Sequence, residues 1–313
     1  MDRMGNGSVS EAMNFNRNWG LNLGEIKALR GKPRNTIELL LHAKDLAEDS
    51  GSDENKERVY RSLGDLYSLA GKYYYVFSYY KMTLELSHQI GDVSEQVQLL
   101  CSLGDASSEI GETKEATEYY YKASTTVKET GYKKQESASL YGMGRIERLN
   151  GNLTNSSQYM EQALSIAQQT KDKKREILCL IELGTIHTAN GNHMSAVSML
   201  KEALDMIQRT GSKEFASECN GRIGISYELM GDHIDADTYY KTALSISREV
   251  GNLSQEALWL GYQGYNYQHL PDGNNITAIE LTEWALEIAQ KTQNKRLELL
   301  CSEKYYQARS ERQ

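Results

Sequence analysis

Four cysteines in 313 residues, Cys101, Cys179, Cys219 and Cys301, are too few and too widely spaced for a disulfide framework. Long hydrophobic runs are missing as well. No stretch approaches the ~18 apolar residues of a membrane-spanning helix, so membrane insertion is not expected. Positive charge is short too: 35 Lys and Arg face 43 Asp and Glu, a formal net charge of −8. A net acid repels a polyanion, which argues against nucleic acid as a partner. The first twenty residues lack an apolar core followed by a small-residue cleavage site. No signal peptide is therefore expected, and the cytoplasm is the expected compartment. Nothing alternates with period two, so no sheet is expected. Only 2 Pro stand against 25 Gly, and only 3 Phe against 21 Tyr.

Catalytic signatures are equally scarce. There is no glycine-rich phosphate loop, nucleophile elbow or HExxH. The six histidines (42, 88, 187, 193, 233 and 269) form no ligand-spaced pair with Cys or carboxylates, and His193 and His233 read as surface residues. No enzyme activity, cofactor or metal site is expected.

The glycines carry the organisation. They fall at 24, 64, 104, 144, 184, 224 and 264, a spacing of 40 without exception. A second series lies seven residues on, at 31, 71, 111, 151, 191 and 231, followed by Pro271-Asp272-Gly273, a turn two residues longer. A third series reads Gly51, Gly91, Gly131, Lys171, Gly211, Gly251 and Gln293. Fixed-period self-similarity of this kind marks a repeat architecture. Each copy reads as two helices: Val97, Leu100, Leu103 and Ala106 follow a helical spacing, as do Ala116, Tyr119, Tyr120, Ala123 and Val127. The second and third glycine series close helices, and Asp or Asn often follows as a helix start. Connections of two or three residues force neighbouring helices antiparallel.

The mid-helix glycine of the first series costs about 1 kcal/mol against Ala, so a second helix must approach its backbone closely. Small slots recur twelve residues on (Ala116, Ala196, Ala236, Ala278) and nineteen on (Ala43, Ala123, Ala163, Ala203, Ala243, Ala285). Between them stands a large residue: Leu40, Tyr80, Tyr120, Met160, Leu200, Tyr240. Small against large at fixed positions is the pattern of interlocking helices. Cys179, Cys219 and Cys301 share one slot with Trp19 and Trp259, a core position where thiols should be inert. The tyrosine clusters at 73–80 and 119–121 read as one core ring each, Tyr80 or Tyr120, with half-wet neighbours, in preference to phosphotyrosine sites. Lys133 and Lys134, then Lys171, Lys173, Lys174 and Arg175, gather in successive junctions as a solvated edge or an acidic-partner site.

This set resembles the tetratricopeptide repeat: Leu63-Gly64 with Tyr67, Ile223-Gly224 with Tyr227 and Gly264 with Tyr267 match its first helix, with Ala, aromatic and Ala in its second. The common repeat is 34 residues. The 40-residue length and the Gly-Asp or Gly-Asn ends are similar to the longer variety in Leu-Gly-Asn repeat (Pins-type) adaptors and rapsyn. The Asn that follows the first-helix Gly in those adaptors is absent; here Glu25, Asp65, Asp105, Arg145, Thr185, Ile225 and Tyr265 stand there. Rapsyn's zinc-binding cluster is absent too. The resemblance implies an all-α, right-handed superhelical solenoid of seven helical hairpins over residues 13–313. It ends in a capping helix at about 295–310, and residues 1–12 are expected to be disordered.

In such arrays first helices line a concave face that binds extended peptides or partner helices. Offsets −6, −3, +1, +4 and +5 from each first-helix Gly make one helical stripe. They give Arg58, Arg61 and Asp65, then Asp105 and Glu109, then Tyr141, Arg145 and Arg148. Later copies turn neutral or apolar: Ile181, Thr185, Thr188, Ile225, Leu229 and Leu258. Such a groove suits a segment carrying both charge signs beside a hydrophobic anchor, unless Asp65 and Asp105 merely neutralise Arg61 and Arg145. The expected function is a non-catalytic adaptor or scaffold holding a protein or peptide segment in the groove. Two alternatives remain: a peptide-responsive regulator whose effector domain this chain does not carry, or an assembly subunit bound through its convex face. Self-association stays open.

Overall fold

The computed structural model describes residues 33–69, 72–212, 215–292 and 294–310. The first 32 residues, with the helix expected around Gly24, the turn glycines 31 and 71, the expected disordered start and Gln293, lie outside the described residues. Among the described residues there are fourteen α-helices and no strand. In chain order they are α1 Pro33–Ser50, α2 Asp53–Leu69, α3 Tyr73–Ile90, α4 Val93–Ile110 and α5 Thr113–Thr130. Next come α6 Lys133–Leu149, α7 Leu153–Gln169, α8 Lys173–Ala189, α9 His193–Thr210 and α10 Ala216–Leu229. The last are α11 His233–Val250, α12 Leu253–Tyr267, α13 Asn275–Thr292 and α14 Lys295–Ser310. The even-numbered helices are the first helices of successive copies, and the odd-numbered ones are the second helices. Together they form a tetratricopeptide-like solenoid of helical hairpins with a terminal cap.

Helix ends follow the third glycine series closely. Gly91, Gly131, Gly211 and Gly251 all sit in the left-handed region, φ +69° to +83°. At Gly91 the backbone N–H of Gly91 and of Asp92 both reach the Ser87 carbonyl, closing orphan acceptors of α3. Lys171 replaces glycine in that series and is forced to φ +57°, a left-handed backbone that costs an L-residue about 1–2 kcal/mol. The next helix starts from Asp92, Asp172, Asp232 or Asn252, each accepting a backbone N–H three residues on.

The mid-helix glycines do what their cost demanded. A Cβ on Gly64 would lie 2.4 Å from the Tyr80 ring, on Gly104 2.8 Å from Tyr120, and on Gly224 2.7 Å from Tyr240. Gly144 and Gly184 meet Met160 and Leu200 in the same way, at 2.9 and 2.7 Å. The large residue of the second helix thus rests directly on the first helix's backbone. Ala123, Ala163, Ala203, Ala243 and Ala285 are all fully buried beside it. Trp259 on α12 seats against Gly221 of α10, and its indole N–H donates to Ser217 Oγ at 3.0 Å. All four cysteines are free and buried. Burial pushes the thiols of Cys101, Cys179 and Cys301 up to about 12, so they stay protonated.

Buried side chains form successive clusters, each shared by adjacent hairpins. First helices also touch across hairpins: α4 with α6, α6 with α8, α8 with α10, α10 with α12 and α12 with α14. They form the inner layer. The winding then brings α14 back into contact with α4.

Candidate functional site: a charged groove closed by the last helix

The second-helix tyrosines reach over the glycines and fix the groove's carboxylates. Tyr80 O–H donates to Asp65 Oδ1 and Tyr120 O–H to Asp105 Oδ1, both at 2.7 Å. Tyr240 makes the same 2.7 Å bond to Glu228. Burial of these phenols pushes them far above the usual tyrosine range, so they stay donors. Where the large slot holds Met160 or Leu200, the residue after the glycine is Arg145 or Thr185, not an acid.

Arg61 donates to Asp65 at 3.2 Å in its own helix and to Glu95 of α4. Arg145 crosses to the preceding first helix, reaching Asp105 at 2.5 Å and Glu109 at 3.0 Å. Glu182 on α8 is 4% exposed and holds both Arg148, at 2.9 Å, and Arg145, at 3.6 Å. Arg222 pairs with Glu218 on α10 at 3.4 Å. Opposite charges therefore alternate across successive first helices. Burial alone would raise the Glu182 carboxyl; Arg148, Arg145 and Arg222 outweigh it and hold it below its ordinary value. Tyr141 is buried beneath two guanidiniums, with Arg175 4.7 Å and Arg145 6.0 Å from its ring centre.

A cavity of about 200 Å³ lies at the centre of this ladder, walled by Glu109, Arg145, Arg148, Glu182, Glu218 and Arg222. α12 adds Leu258 and Tyr262, Asn294 stands just before α14, and α14 adds Arg296, Leu297 and Leu300.

The structure places the expected stripe with one rotation. Offsets −6, +1, +4 and +5 do supply inner residues: Glu218 and Leu258, Arg145, Arg148 and Glu109. Offset −3 does not. Cys101, Tyr141 and Ile181 there are buried, Ile181 at 2% exposure within a core cluster, because that side of the first helix meets the neighbouring hairpin. From the copy around Gly184 onward the inner position is −2, which carries Glu182, Arg222, Tyr262 and, in the cap, Lys304; in the copy around Gly144 that slot is Gly142, packed against the Tyr120 ring. Steps of four, three and four between −6, −2, +1 and +5 keep this stripe on one face. The charged residues of that slot, Glu182, Arg222 and Lys304, were the missed signal.

Thr185 and Thr188 bond back to the carbonyls of Ile181 and Gly184, and Thr188 Oγ1 also meets Ser226 Oγ at 2.8 Å. Arg58 and Leu229 are exposed, and Ile225 is half-buried. The last copies are not an apolar end: Arg222, Arg296 and Lys304 extend the charges there. Lys304 lies 4.0 Å from the Tyr265 ring centre and 3.9 Å from Glu228. His233 is not a free surface residue either; it bonds Asn266 at 2.8 Å and stacks on His269.

Residues 135–209 and 217–250 match models of the tetratricopeptide repeat. These stretches are tetratricopeptide repeats. The chain's solenoid is similar to a Rap protein complexed with competence and sporulation factor, 16% identical, covering 92% of this chain and 79% of that one with a TM-score of 0.65. It is similar also to the Cut9–Hcn1 hetero-tetramer of APC/C, 15% identical over 96% of this chain and 52% of that one, TM-score 0.64. A third similar structure is aspartyl phosphate phosphatase F from Bacillus subtilis, 14% identical over 100% of this chain and 85% of that one, TM-score 0.57. Identities this low establish the fold alone. No curated protein matches the sequence. The likeness to Leu-Gly-Asn adaptors and rapsyn rests on repeat length and repeat ends. Among the described residues no helix is long and apolar enough to cross a membrane, and no three His, Cys, Asp or Glu gather as metal ligands would.

Proposed function

We propose that this chain is a non-catalytic interaction scaffold that holds an extended peptide or partner helix along its first-helix groove. The observation that carries the reading is the inner stripe itself, where side chains of both signs are held by second-helix tyrosines and cross-hairpin pairs around a cavity. Groups positioned in advance lose little freedom on binding, which favours recognition. A Rap protein of similar fold is complexed with competence and sporulation factor, which supports a binding role for such a solenoid. The Cut9–Hcn1 assembly supports a protein partner.

The test is selection of peptides from a random display library on the full chain, followed by hydrogen-exchange mapping. Selected peptides should protect α2 to α12 along their inner faces. Ser62→Glu with Leu229→Glu, both off the core, should abolish that binding without lowering the melting temperature. Binding that survives both changes, or protection confined to second helices, would overturn the groove assignment.

One observation favours the assembly-subunit reading. Met194, Ile234 and Ile276 occupy equivalent slots at the start of successive second helices and are 73%, 61% and 63% exposed. If that row binds a partner, Met194→Glu and Ile234→Glu should remove the interaction while groove variants leave it intact.

A further inference from the structure

In the last three hairpins the turns between first and second helices carry charge of one sign. Residues 187–200, 227–240 and 267–282 hold six carboxylates and no lysine or arginine. Two of the six are occupied: Glu228 accepts from Tyr240 O–H at 2.7 Å, and Asp237 pairs with Lys241 at 2.6 Å. Asp232, Asp235, Asp272 and Glu280 are exposed. The N–H groups that open α11 and α13 are met from inside the turns, by Asp232 Oδ1 at 3.2 Å and Asn274 Oδ1 at 2.8 Å. That leaves Asp235, Asp272 and Glu280 to face solvent.

Through this acidic edge runs the exposed row of Met194, Ile234 and Ile276, each the second residue of its helix, α9, α11 or α13. In the two preceding hairpins the same slot holds Lys114 and Thr154, so the row is confined to the end without cations. Local folding does not ask for these side chains. An exposed isoleucine buries nothing, and its branched Cβ makes it a mediocre helix former. Their spacing has a match outside the molecule. First helices α8, α10 and α12 touch in succession, so each hairpin advances the row by about 10 Å, the width of a packed helix. Seven residues of an α-helix also rise about 10 Å. An extended segment covers that distance in about three residues, and its successive contacts would point to opposite faces.

We propose that this edge docks a basic amphipathic helix of a partner protein, with apolar residues one heptad apart on Met194, Ile234 and Ile276 and lysines or arginines against Asp235, Asp272 and Glu280. The inference rests on the assembly-subunit reading of this row and names the partner's chemistry. The apolar anchors supply affinity, and the charges fix orientation and speed encounter. A second copy of this chain, at a net charge of −8, brings the wrong sign in bulk.

The probe is a synthetic three-heptad helix with leucine at every a and d position and lysine beside them. Its controls are the same helix with glutamate for every lysine, and a scrambled lysine peptide without a stripe. The lysine helix should bind the full chain with an affinity that falls as salt rises, and the glutamate helix at least about tenfold more weakly. Ile234→Ser removes the central anchor and should weaken the lysine helix by about tenfold or more without lowering the melting temperature. Asp235→Asn with Glu280→Gln should weaken it as well and flatten its salt dependence. Hydrogen exchange should slow around the starts of α9, α11 and α13. No binding of the lysine helix would overturn the proposal. Equal binding of the lysine and glutamate helices, or of the scrambled peptide, at a site that Ile234→Ser abolishes would overturn the partner's chemistry and leave the row as an interface. Binding that ignores Ile234→Ser and protects the inner faces of the first helices would overturn the row itself. A parent that sediments as a dimer and turns monomeric on Ile234→Ser would give the row to a second copy, again overturning the proposal.

Discussion

Glu182 shows how much one residue of the inner stripe is asked to do. It is almost fully buried, and two arginines of the preceding hairpin converge on it. Removing one partner of a buried pair strands the other charge, at a cost of about 3–5 kcal/mol. Glu182→Gln should therefore destabilise the chain by about 3 kcal/mol at neutral pH. The carboxyl titrates lower in the folded chain than its ordinary 4.5, so its contribution is complete above that value and is lost as pH falls through the lower folded one. Thermal melts from pH 7 down to pH 3 should show the gap between parent and variant closing only in the acid range. A gap that is constant with pH would mean the carboxylate charge is not what stabilises. Glu228 works against this trend, because burial pushes its carboxyl up despite Lys304 and the Tyr240 hydroxyl. Its contribution is full below 4.5 and declines as pH rises through its raised value.

At the scale of the element, the same residue type has opposite consequences at neighbouring sites. Gly224 lies in the middle of α10 with the Tyr240 ring where its Cβ would go. An aromatic ring locked by its own bond to Glu228 cannot step aside, so Gly224→Ala should overpack the hairpin by about 1–3 kcal/mol. Gly261 is also mid-helix, in α12, but the nearest atoms to its Cβ position are at 3.8 Å, ordinary contact. Gly261→Ala should stabilise by up to about 1 kcal/mol, the helix propensity gained. Chemical denaturation of the two variants side by side checks both signs. If both destabilise equally, close helix approach is not the reason for the glycine series.

For the whole molecule, contacts run mainly between neighbouring hairpins, as in a quasi-one-dimensional solenoid. A chain ending at Gly211 should keep its helical circular dichroism per residue and melt at a lower temperature. Leu200, Ala203 and Ile207 would lose Cys219 and Ile223, their cover from α10. Complete loss of helix would show that the α4–α14 return contact, and not nearest neighbours, holds the fold together.

The sequence by itself determined the repeat, the helix ends, the interlocking of glycine with tyrosine and the chemical inertness of the cysteines. Each is a short-range property, set by spacing within 40 residues and by the steric demands of one residue on the next. It also named Arg145, Arg148, Asp105 and Glu109 as inner residues, because their offsets fall on the right face. Which of two adjacent slots, −3 or −2, faces the groove was decided only by the tertiary structure. The two differ by about 100° of helix rotation, and the choice depends on how each hairpin leans against the next. Ile181 went into the core and Glu182 into the groove for that reason. The closing of the cavity by Arg296 was beyond any local pattern. It follows from small rotations accumulated hairpin after hairpin, which bring α14 beside α4 through packing between residues nearly two hundred positions apart.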